Sequence, residues 1–248
     1  MPESNVENPR YWDRRWETHR FGLQTDQALI FVAGQVLQGF TGKRTLEVAS
    51  GRGIDSLRMA QKGAAAVVVD FSKSALEITR GLQEQSGVMI QEVQANAVIL
   101  PFPDDSFDLV FSQGLMEHPG EREMFLQEQV RVTRPQGYVL IDMPNKYALQ
   151  TPVRDIQVLM RRWHQGREYP MTFRQLERFM KKAGLTPVRA YGSSLIPLIH
   201  LGIKARLGGS KAQDIGNPPL PNFFTRIIEA NIGHWFLNNV GVIGQKAE

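Results

Sequence analysis

Residues 44–70, RTLEVASGRGIDSLRMAQKGAAAVVVD, decide the fold of this chain of 248 residues. Apolar residues lead into a turn with Gly51 and Gly53, a helix-period run follows, and a second apolar strand ends on Asp70. Glycine has no Cβ, so this turn can take positive φ and let a ligand lie against N–H groups at a helix N-terminus. Asp70 follows Gly51 by 19 positions, close to the roughly 20 expected of a carboxylate that binds ribose hydroxyls. The stretch predicts a site for a nucleotide-type cofactor.

The glycine turn alone leaves the cofactor open. Gly51-x-Gly53-x-x-Ser56 also fits a dinucleotide fingerprint in which a small residue replaces the third glycine. Glu47, inside the first strand, discriminates better. A carboxylate there adds negative charge near a bound pyrophosphate, but it suits a cofactor that carries an ammonium and a sulfonium.

Further motifs follow in order: Asp70 in VVVDFSKSALE, Asn96-Ala97 before LPF, and SFDLVFSQGLMEH. With Glu47 and the glycine turn, they make residues 44–143 similar to the class I methyltransferases that depend on S-adenosylmethionine (SAM). The resemblance implies SAM as the cofactor, with Asp70 on the ribose, the Asn96 side-chain oxygen accepting from the adenine amine and the Ala97 N–H serving a ring nitrogen. The cofactor-binding residues that it implies are Glu47, Ala49, Gly51, Gly53, Asp70, Phe71, Asn96, Ala97 and Gln113.

Strand, helix and strand alternate along the chain, which predicts an α/β fold with a doubly wound, mostly parallel sheet and helices on both faces. The resemblance adds a total of seven strands, the last antiparallel. A helix is expected over 27–40, the third strand over 88–93, and a turn over 134–137 that leads into the fifth strand.

We expect a single methyltransferase domain over residues 1–248, with an N-terminal helical cap at 10–40. Insertions at 144–172 and 192–237 are the candidates for a substrate lid, because both are longer than ordinary connections. Trp12 and Trp16 stand at helical spacing in the cap. They are expected either to roof the cofactor site or to pack a terminal helix onto the domain.

Methyl transfer requires mainly alignment of the acceptor with the sulfonium, and a base only where the acceptor must lose a proton. His118 follows the fourth strand, on the side that faces the methyl group, and a histidine pKa lies near working pH. We therefore take His118 as the candidate catalytic residue, the alternative being a histidine that bonds to backbone at a helix start. Glu168, Tyr169 and His164 are further candidates in the first insertion.

The composition excludes cysteine-based chemistry and bears on the partners and location of the protein. The absence of cysteine excludes disulfides, thiolate metal ligands and a cysteine nucleophile, and no metal ligands are assigned. The net charge of +4 is mild, without a long basic run. No signal peptide precedes Tyr11 and no run approaches the roughly 18 apolar residues of a spanning helix, so the cytoplasm is the expected location, with peripheral membrane contact left open.

The residues after the fourth strand, Ser112-Gln113-Gly114-Leu115, lack the Asn/Asp-Pro-Pro-aromatic motif used on base nitrogens, and no RNA-binding module is visible. A small-molecule or lipid-like acceptor with an O, N or C nucleophile is expected, rather than nucleic acid.

Three rival functions stay open. An NAD(P)-dependent oxidoreductase of the short-chain type is disfavoured because no tyrosine begins a Tyr-x-x-x-Lys motif. The second rival is a non-catalytic SAM-binding scaffold, and the third is an RNA methyltransferase.

Overall fold

The computed structural model describes residues 8–18, 27–118, 120–148, 151–152, 155–156, 160, 168–195 and 237–248. Its helices are α1 Pro9–Thr18, α2 Gln27–Leu37, α3 Ile54–Gln61, α4 Lys73–Ser86, α5 Arg122–Val132 and α6 Phe173–Lys182. Its strands are β1 Arg44–Val48, β2 Ala65–Asp70, β3 Gln91–Gln94, β4 Phe107–Gln113, β5 Thr133–Pro144, β6 Leu185–Leu195 and β7 Leu237–Lys246. Within these residues, no helix is both long and apolar enough to cross a bilayer.

The strands form one seven-stranded sheet in the order β3-β2-β1-β4-β5-β7-β6. Neighbours from β3 to β5 pair in parallel, whereas β7 pairs antiparallel with both β5 and β6. The predicted fold class is confirmed, including the antiparallel last strand. The order reverses between β1 and β4, which is where α/β sheets bind their ligands.

Helices cover both faces of the sheet, because successive strand residues point to opposite sides. In β5, Leu140 packs with Leu29 of α2 and Met59 of α3. Its neighbour Val139 packs on the other face with Leu126 of α5, in a cluster that also includes α6. Burying each such side chain contributes about 1.5–3 kcal/mol, so the two apolar layers are the main stabilising feature of the fold.

Two predicted boundaries are wrong. The helix expected over 27–40 ends at Leu37, because Gln38 takes a left-handed φ of 58° and the Gly39 N–H bonds back to the Gly34 carbonyl at 2.8 Å. The third strand begins at Gln91 instead of residue 88. The Ile90 N–H bonds to the side-chain oxygen of Gln83 at 2.7 Å, so it does not start the strand ladder.

The turn expected over 134–137 lies inside β5, not before it. Pairing with β4 is irregular here, because Thr133 lies opposite Phe107 and the regular ladder resumes at Tyr138. Gln136 takes a positive φ of 61°, and a Cβ on Gly137 would lie 2.8 Å from the Arg134 carbonyl oxygen. The tight conformation that the sequence indicates therefore exists, as a local irregularity within a longer strand.

Candidate active site

A cavity of about 570 Å³ opens at the carboxyl ends of β1, β2 and β4, where the strand order reverses. This volume lies within the range of pockets that bind cofactors and other small molecules. Most of the residues predicted to bind cofactor lie on its wall: Glu47, Ala49, Gly51, Asp70, Phe71, Asn96, Ala97 and Gln113. The predicted base His118 also lies on the wall. The structure therefore brings these predicted residues together around one space.

The glycine turn after β1 has the left-handed backbone that its sequence predicts. Gly51 has φ of 53° and Gly53 has φ of 60°, and Ala49 also takes a positive φ of 56°. A Cβ on Gly51 would lie 2.8 Å from the Trp16 indole. Gly53 lies behind the wall, where its missing Cβ leaves room for Thr79 at 3.1 Å. Gly51 thus allows a close approach at the cavity, whereas Gly53 allows close packing against α4.

Asp70 closes the glycine turn at the end of β2. Its Oδ2 accepts the Gly51 N–H and its Oδ1 accepts the Ser72 N–H, both at 2.8 Å. Burial raises the pKa of Asp70 to about 6, although these backbone hydrogen bonds favour the ionised form. Each carboxylate oxygen can accept a further bond, so the group can still receive a hydroxyl from the cavity.

Glu47 lies on β1 beneath the same turn. Its Oε2 accepts both the backbone N–H and the hydroxyl of Ser56, in the first turn of α3. Burial raises the pKa of Glu47 to about 7 against the effect of these bonds, and the charge of Asp70 raises it further. A cation bound in the cavity would favour the ionised form of both carboxyl groups.

Asn96 lies on the wall and is exposed, after β3. Its Oδ1 accepts the Val98 N–H at 3.1 Å, so the oxygen expected to meet an adenine amine already has one partner. An amide oxygen has two lone pairs, and the second remains for a ligand.

Helix α1 is attached to the site by a contact that the sequence did not predict. Asp13 Oδ1 accepts the Ser72 hydroxyl at 2.6 Å and the Ser74 N–H at 3.2 Å, at the start of α4. This attachment puts Trp12 and Trp16 on the cavity wall, as the roof interpretation expected. An acid near a helix N-terminus is favourable, but only the fold shows which helix Asp13 reaches.

Arg15 on α1 was also missed as a site residue. It is buried, lies on the cavity wall, and its guanidinium is 5.5 Å from the Trp12 ring centroid. The sequence signal was weak, because α1 also carries other exposed or half-buried arginines, and helical spacing alone does not rank them.

Glu117 and His118 line the end of the cavity beyond β4. Within the part of the chain that the structure describes, Glu117 Oε2 and His118 Nδ1 are buried without a hydrogen-bond partner. Burial raises the pKa of Glu117 to about 8, with Glu168 and Asp142 adding to the effect. Burial also lowers the pKa of His118 to about 4, and the charges of Arg122 and Arg15 lower it further. Both side chains are therefore mostly uncharged near pH 7.

The described end of the first insertion contacts this region, since the Tyr169 N–H bonds to the Glu117 carbonyl at 2.7 Å. His164 lies outside the described residues, as does most of the second insertion, 196–236. Among the residues that are described, no group of three or more His, Asp or Glu side chains is arranged to hold a metal ion.

Comparisons with known proteins identify the kind of domain that carries this cavity. Residues 46–141 match the family model for a methyltransferase domain. An uncharacterized protein of Mycobacterium tuberculosis is 39% identical over 99 residues, which are 40% of this chain and 36% of that protein. The ubiquinone biosynthesis O-methyltransferase of Cupriavidus pinatubonensis is 29% identical over 173 residues, 66% of this chain and 69% of that enzyme. The chain thus spans little more than a third of the first of these relatives.

Solved structures support the fold. A SAM-dependent methyltransferase from Archaeoglobus fulgidus superposes with a TM-score of 0.61 at 17% identity, covering 95% of this chain and 100% of the other. The 1,6-didemethyltoxoflavin-N1-methyltransferase of Burkholderia thailandensis gives a TM-score of 0.61 at 15% identity, covering 99% and 87%.

Together, the sheet order, the glycine turn at the strand reversal and the family match define a methyltransferase domain. Residues 46–141 are thus similar to the methyltransferase domains that use SAM, and SAM is the cofactor that this match implies. The residues present fit this cofactor, because two buried carboxyl groups, Glu47 and Asp70, flank the glycine turn on the cavity wall.

Proposed function

We propose that this protein transfers a methyl group from SAM to a small-molecule or lipid-like acceptor. The observation that carries the proposal is the placement of Glu47 and Asp70, both buried on the wall of one cavity beside the glycine turn. Buried carboxyl groups are costly unless a partner favours them, and the cofactor's ammonium and sulfonium are suitable partners. The cytoplasmic location stays a prediction from the sequence.

The roles proposed for the cofactor-binding residues are those that the family resemblance implies, and the position of most of these residues on the cavity wall supports them. Asp70 accepts hydrogen bonds from the ribose hydroxyls. Each of its oxygens already accepts one backbone N–H and has a further lone pair for a hydroxyl. Glu47 faces the ammonium end. Asn96 and the Ala97 backbone contact adenine, while Phe71 provides apolar surface beside it. Ala49, Gly51, Gly53 and Gln113 complete the set, with Gly53 acting through the packing of the turn.

The acceptor occupies the end of the cavity beyond β4, next to His118. There, His118 lines the cavity and is the candidate to form a hydrogen bond with the acceptor. The N-terminal cap and the insertions 144–172 and 192–237 are proposed to cover this end. Support comes from Trp12 on the wall and from the Tyr169 bond to Glu117. The name of the ubiquinone biosynthesis relative supports a small-molecule acceptor.

Calorimetric titration with SAM and, separately, with NADH tests the cofactor assignment. Tight binding of SAM alone is expected, whereas binding of NADH alone would contradict it and favour an oxidoreductase. Incubation with radiolabelled SAM and pools of small hydroxyl, amine and carbon acceptors then tests turnover. Binding of SAM without transfer to any pool would favour the non-catalytic scaffold.

A further inference from the structure

We propose that Glu117 and His118 form a subsite for a hydroxyl group of the acceptor, and that the Glu117 carboxylate takes up the hydroxyl proton as the methyl group is transferred. This inference rests on the proposed function, since it requires SAM in the other half of the same cavity. It differs from the sequence prediction, in which His118 is the base.

The first support is the pair of unpartnered polar atoms. Glu117 is 5% exposed, and its Oε2 has no hydrogen-bond partner among the described residues. Nδ1 of the adjacent His118 also has no hydrogen-bond partner among the described residues, and both residues line the cavity. Buried polar groups in folded proteins are nearly always paired, and an acceptor seated against this wall would supply the partner that each of these two atoms lacks.

The second support is the rigid attachment of this pair. Arg122 of α5 donates from Nε to the His118 carbonyl and from Nη2 to the Glu117 carbonyl, both at 2.9 Å. The Tyr169 N–H bonds to the same Glu117 carbonyl, and the Arg122 guanidinium lies 5.3 Å from the Tyr169 ring centroid. The main chain of the pair is thus held from two sides, as accurate placement of reacting groups requires. Arg122 acts here as a positioning residue.

The charges around the pair decide which group is the base. Burial, Glu168 and Asp142 raise the pKa of Glu117 to about 8, with Arg122 opposing them. Burial, Arg122 and Arg15 lower the pKa of His118 to about 4. The base with the higher pKa holds a proton more strongly, so ionised Glu117 is the effective base. His118 stays neutral, and the tautomer that carries hydrogen on Nδ1 can donate to the hydroxyl oxygen.

The pair suits a hydroxyl better than an amine. An amine attacks in its neutral form and needs no proton removed first, whereas a hydroxyl is activated by a carboxylate that takes its proton. The hydroxyl points its proton towards Glu117, and its oxygen can accept a hydrogen bond from His118. In the step, the hydroxyl oxygen forms a bond to the methyl carbon while the carbon–sulfur bond breaks. The sulfur keeps the electron pair as the thioether of S-adenosylhomocysteine, and the hydroxyl proton passes to Glu117.

The test uses the full chain, labelled SAM and two matched pools, phenols and catechols against anilines and benzylamines. We expect transfer to the hydroxyl pool, at a rate that rises with pH towards about 8. Glu117→Gln keeps the size and neutrality of the protonated side chain, so it should fold. It should lower transfer at least ~100-fold, the lower range of general-base catalysis, with SAM affinity changed less than about twofold.

Two further variants and one acceptor distinguish a base from a structural residue. Glu117→Asp should retain part of the activity, and it stands in if the glutamine variant does not fold. His118→Gln should keep the rise of rate with pH. A phenol that is already ionised at the assay pH, 4-nitrophenol, should be methylated by Glu117→Gln at close to the wild-type rate, because no proton needs to be removed. Glu84→Gln, on the exposed side of α4, is the matched control.

The outcomes separate this inference from the proposed function. If the wild type does not bind SAM, the proposed function fails. If SAM binds but only the amine pool, or neither pool, is methylated, the hydroxyl subsite is wrong. If Glu117→Gln transfers methyl to ordinary phenols at the wild-type rate, Glu117 is not the base. In the last two cases, the proposal that SAM binds at Glu47 and Asp70 is unaffected.

Discussion

Ser56 donates both its backbone N–H and its hydroxyl to one carboxylate oxygen of Glu47, at 3.1 and 2.6 Å. Both bonds come from the first turn of α3, so the helix holds the carboxyl group on the cavity wall. Even with these bonds, burial keeps the pKa of Glu47 at about 7. The group therefore changes charge within the pH range in which a cell works.

The first prediction is that SAM binding releases protons below pH 7. A cation beside Glu47 and Asp70 favours their ionised forms, whose pKa values in the free protein are about 7 and about 6. Affinity should rise with pH through this window and level off above it, because above it both carboxylates are already ionised. Calorimetry at pH 6 in phosphate and in Bis-Tris should give different binding heats, because the two buffers take up the released protons with different enthalpies.

Glu47→Gln is the informative variant for this release. For this variant, the heat of SAM binding should differ much less between the two buffers, and the remaining difference should come from Asp70. Equal heats in both buffers for the wild type would contradict a cationic ligand at these carboxyl groups.

Asp70→Ala should weaken SAM binding by about 1.5–3 kcal/mol, the range for hydrogen bonds to a charged group. The variant also frees the Gly51 and Ser72 N–H groups that Asp70 holds, so part of the loss reflects a looser turn. Calorimetry measures the affinity, with Glu84→Gln as the control. An unchanged affinity would mean that another group holds the ribose.

Gly51→Ala and Gly87→Ala form a matched pair. Both glycines have positive φ, 53° and 67°, but a Cβ at Gly51 meets the Trp16 indole at 2.8 Å, whereas nothing lies within 4 Å at Gly87. Both variants should lose roughly 1 kcal/mol of stability from backbone strain. Only Gly51→Ala should displace Trp16, change tryptophan fluorescence and lower SAM affinity. Similar SAM affinity for the two variants would show that the turn does not cradle the cofactor.

Asp13→Ala should release α1 from α4. The variant removes the bonds to the Ser72 hydroxyl and the Ser74 N–H but leaves the sheet unchanged. We expect faster amide hydrogen exchange in residues 9–18 and weaker SAM binding, since Trp12 and Trp16 would leave the wall. Glu77→Ala, at an exposed ion pair of α4 with Lys73, is the control. Unaltered exchange in α1 would mean that other contacts suffice to hold it.

Deleting residues 205–220 should spare SAM affinity and abolish transfer to the acceptor. The segment belongs to the second insertion and lies outside the described residues, so this prediction depends on the lid proposal alone. Turnover of the hydroxyl pool and SAM calorimetry measure the two effects. Equal turnover by both proteins, at matched folded fraction, would assign acceptor binding to the N-terminal aromatic residues instead.

The cofactor half of the site was predictable because its residues are close in sequence. Glu47, Gly51 and Asp70 belong to one strand-turn-helix-strand unit, whose geometry fixes their positions. The positive φ of Ala49 was not predictable, since alanine carries no preference for it. The start of β3 was misplaced because Ile90 is buried like a strand residue, while its N–H bonds to a side chain of α4.

The rest of the candidate site depends on contacts between distant residues. Asp13 and Ser72 are 59 positions apart, and Arg122 and Tyr169 are 47 apart. No local pattern specifies such pairs, because they follow from how the elements pack. Burial likewise reverses the relative basicity of Glu117 and His118. Ordinary pKa values make histidine the stronger base, whereas here the pKa of Glu117 is the higher of the two.

The interior place of β7 has a consequence for synthesis on the ribosome. Residues 237–246 insert between β5 and β6, yet they are translated after both. At typical elongation rates, roughly 5–20 s pass between the synthesis of β5 and that of β7. The strands that carry Glu47, Asp70 and Gln113 are complete long before then. The half of the sheet that carries the glycine turn can therefore assemble while the other half still exposes unpaired edges, and the nascent chain depends on β7 to close them.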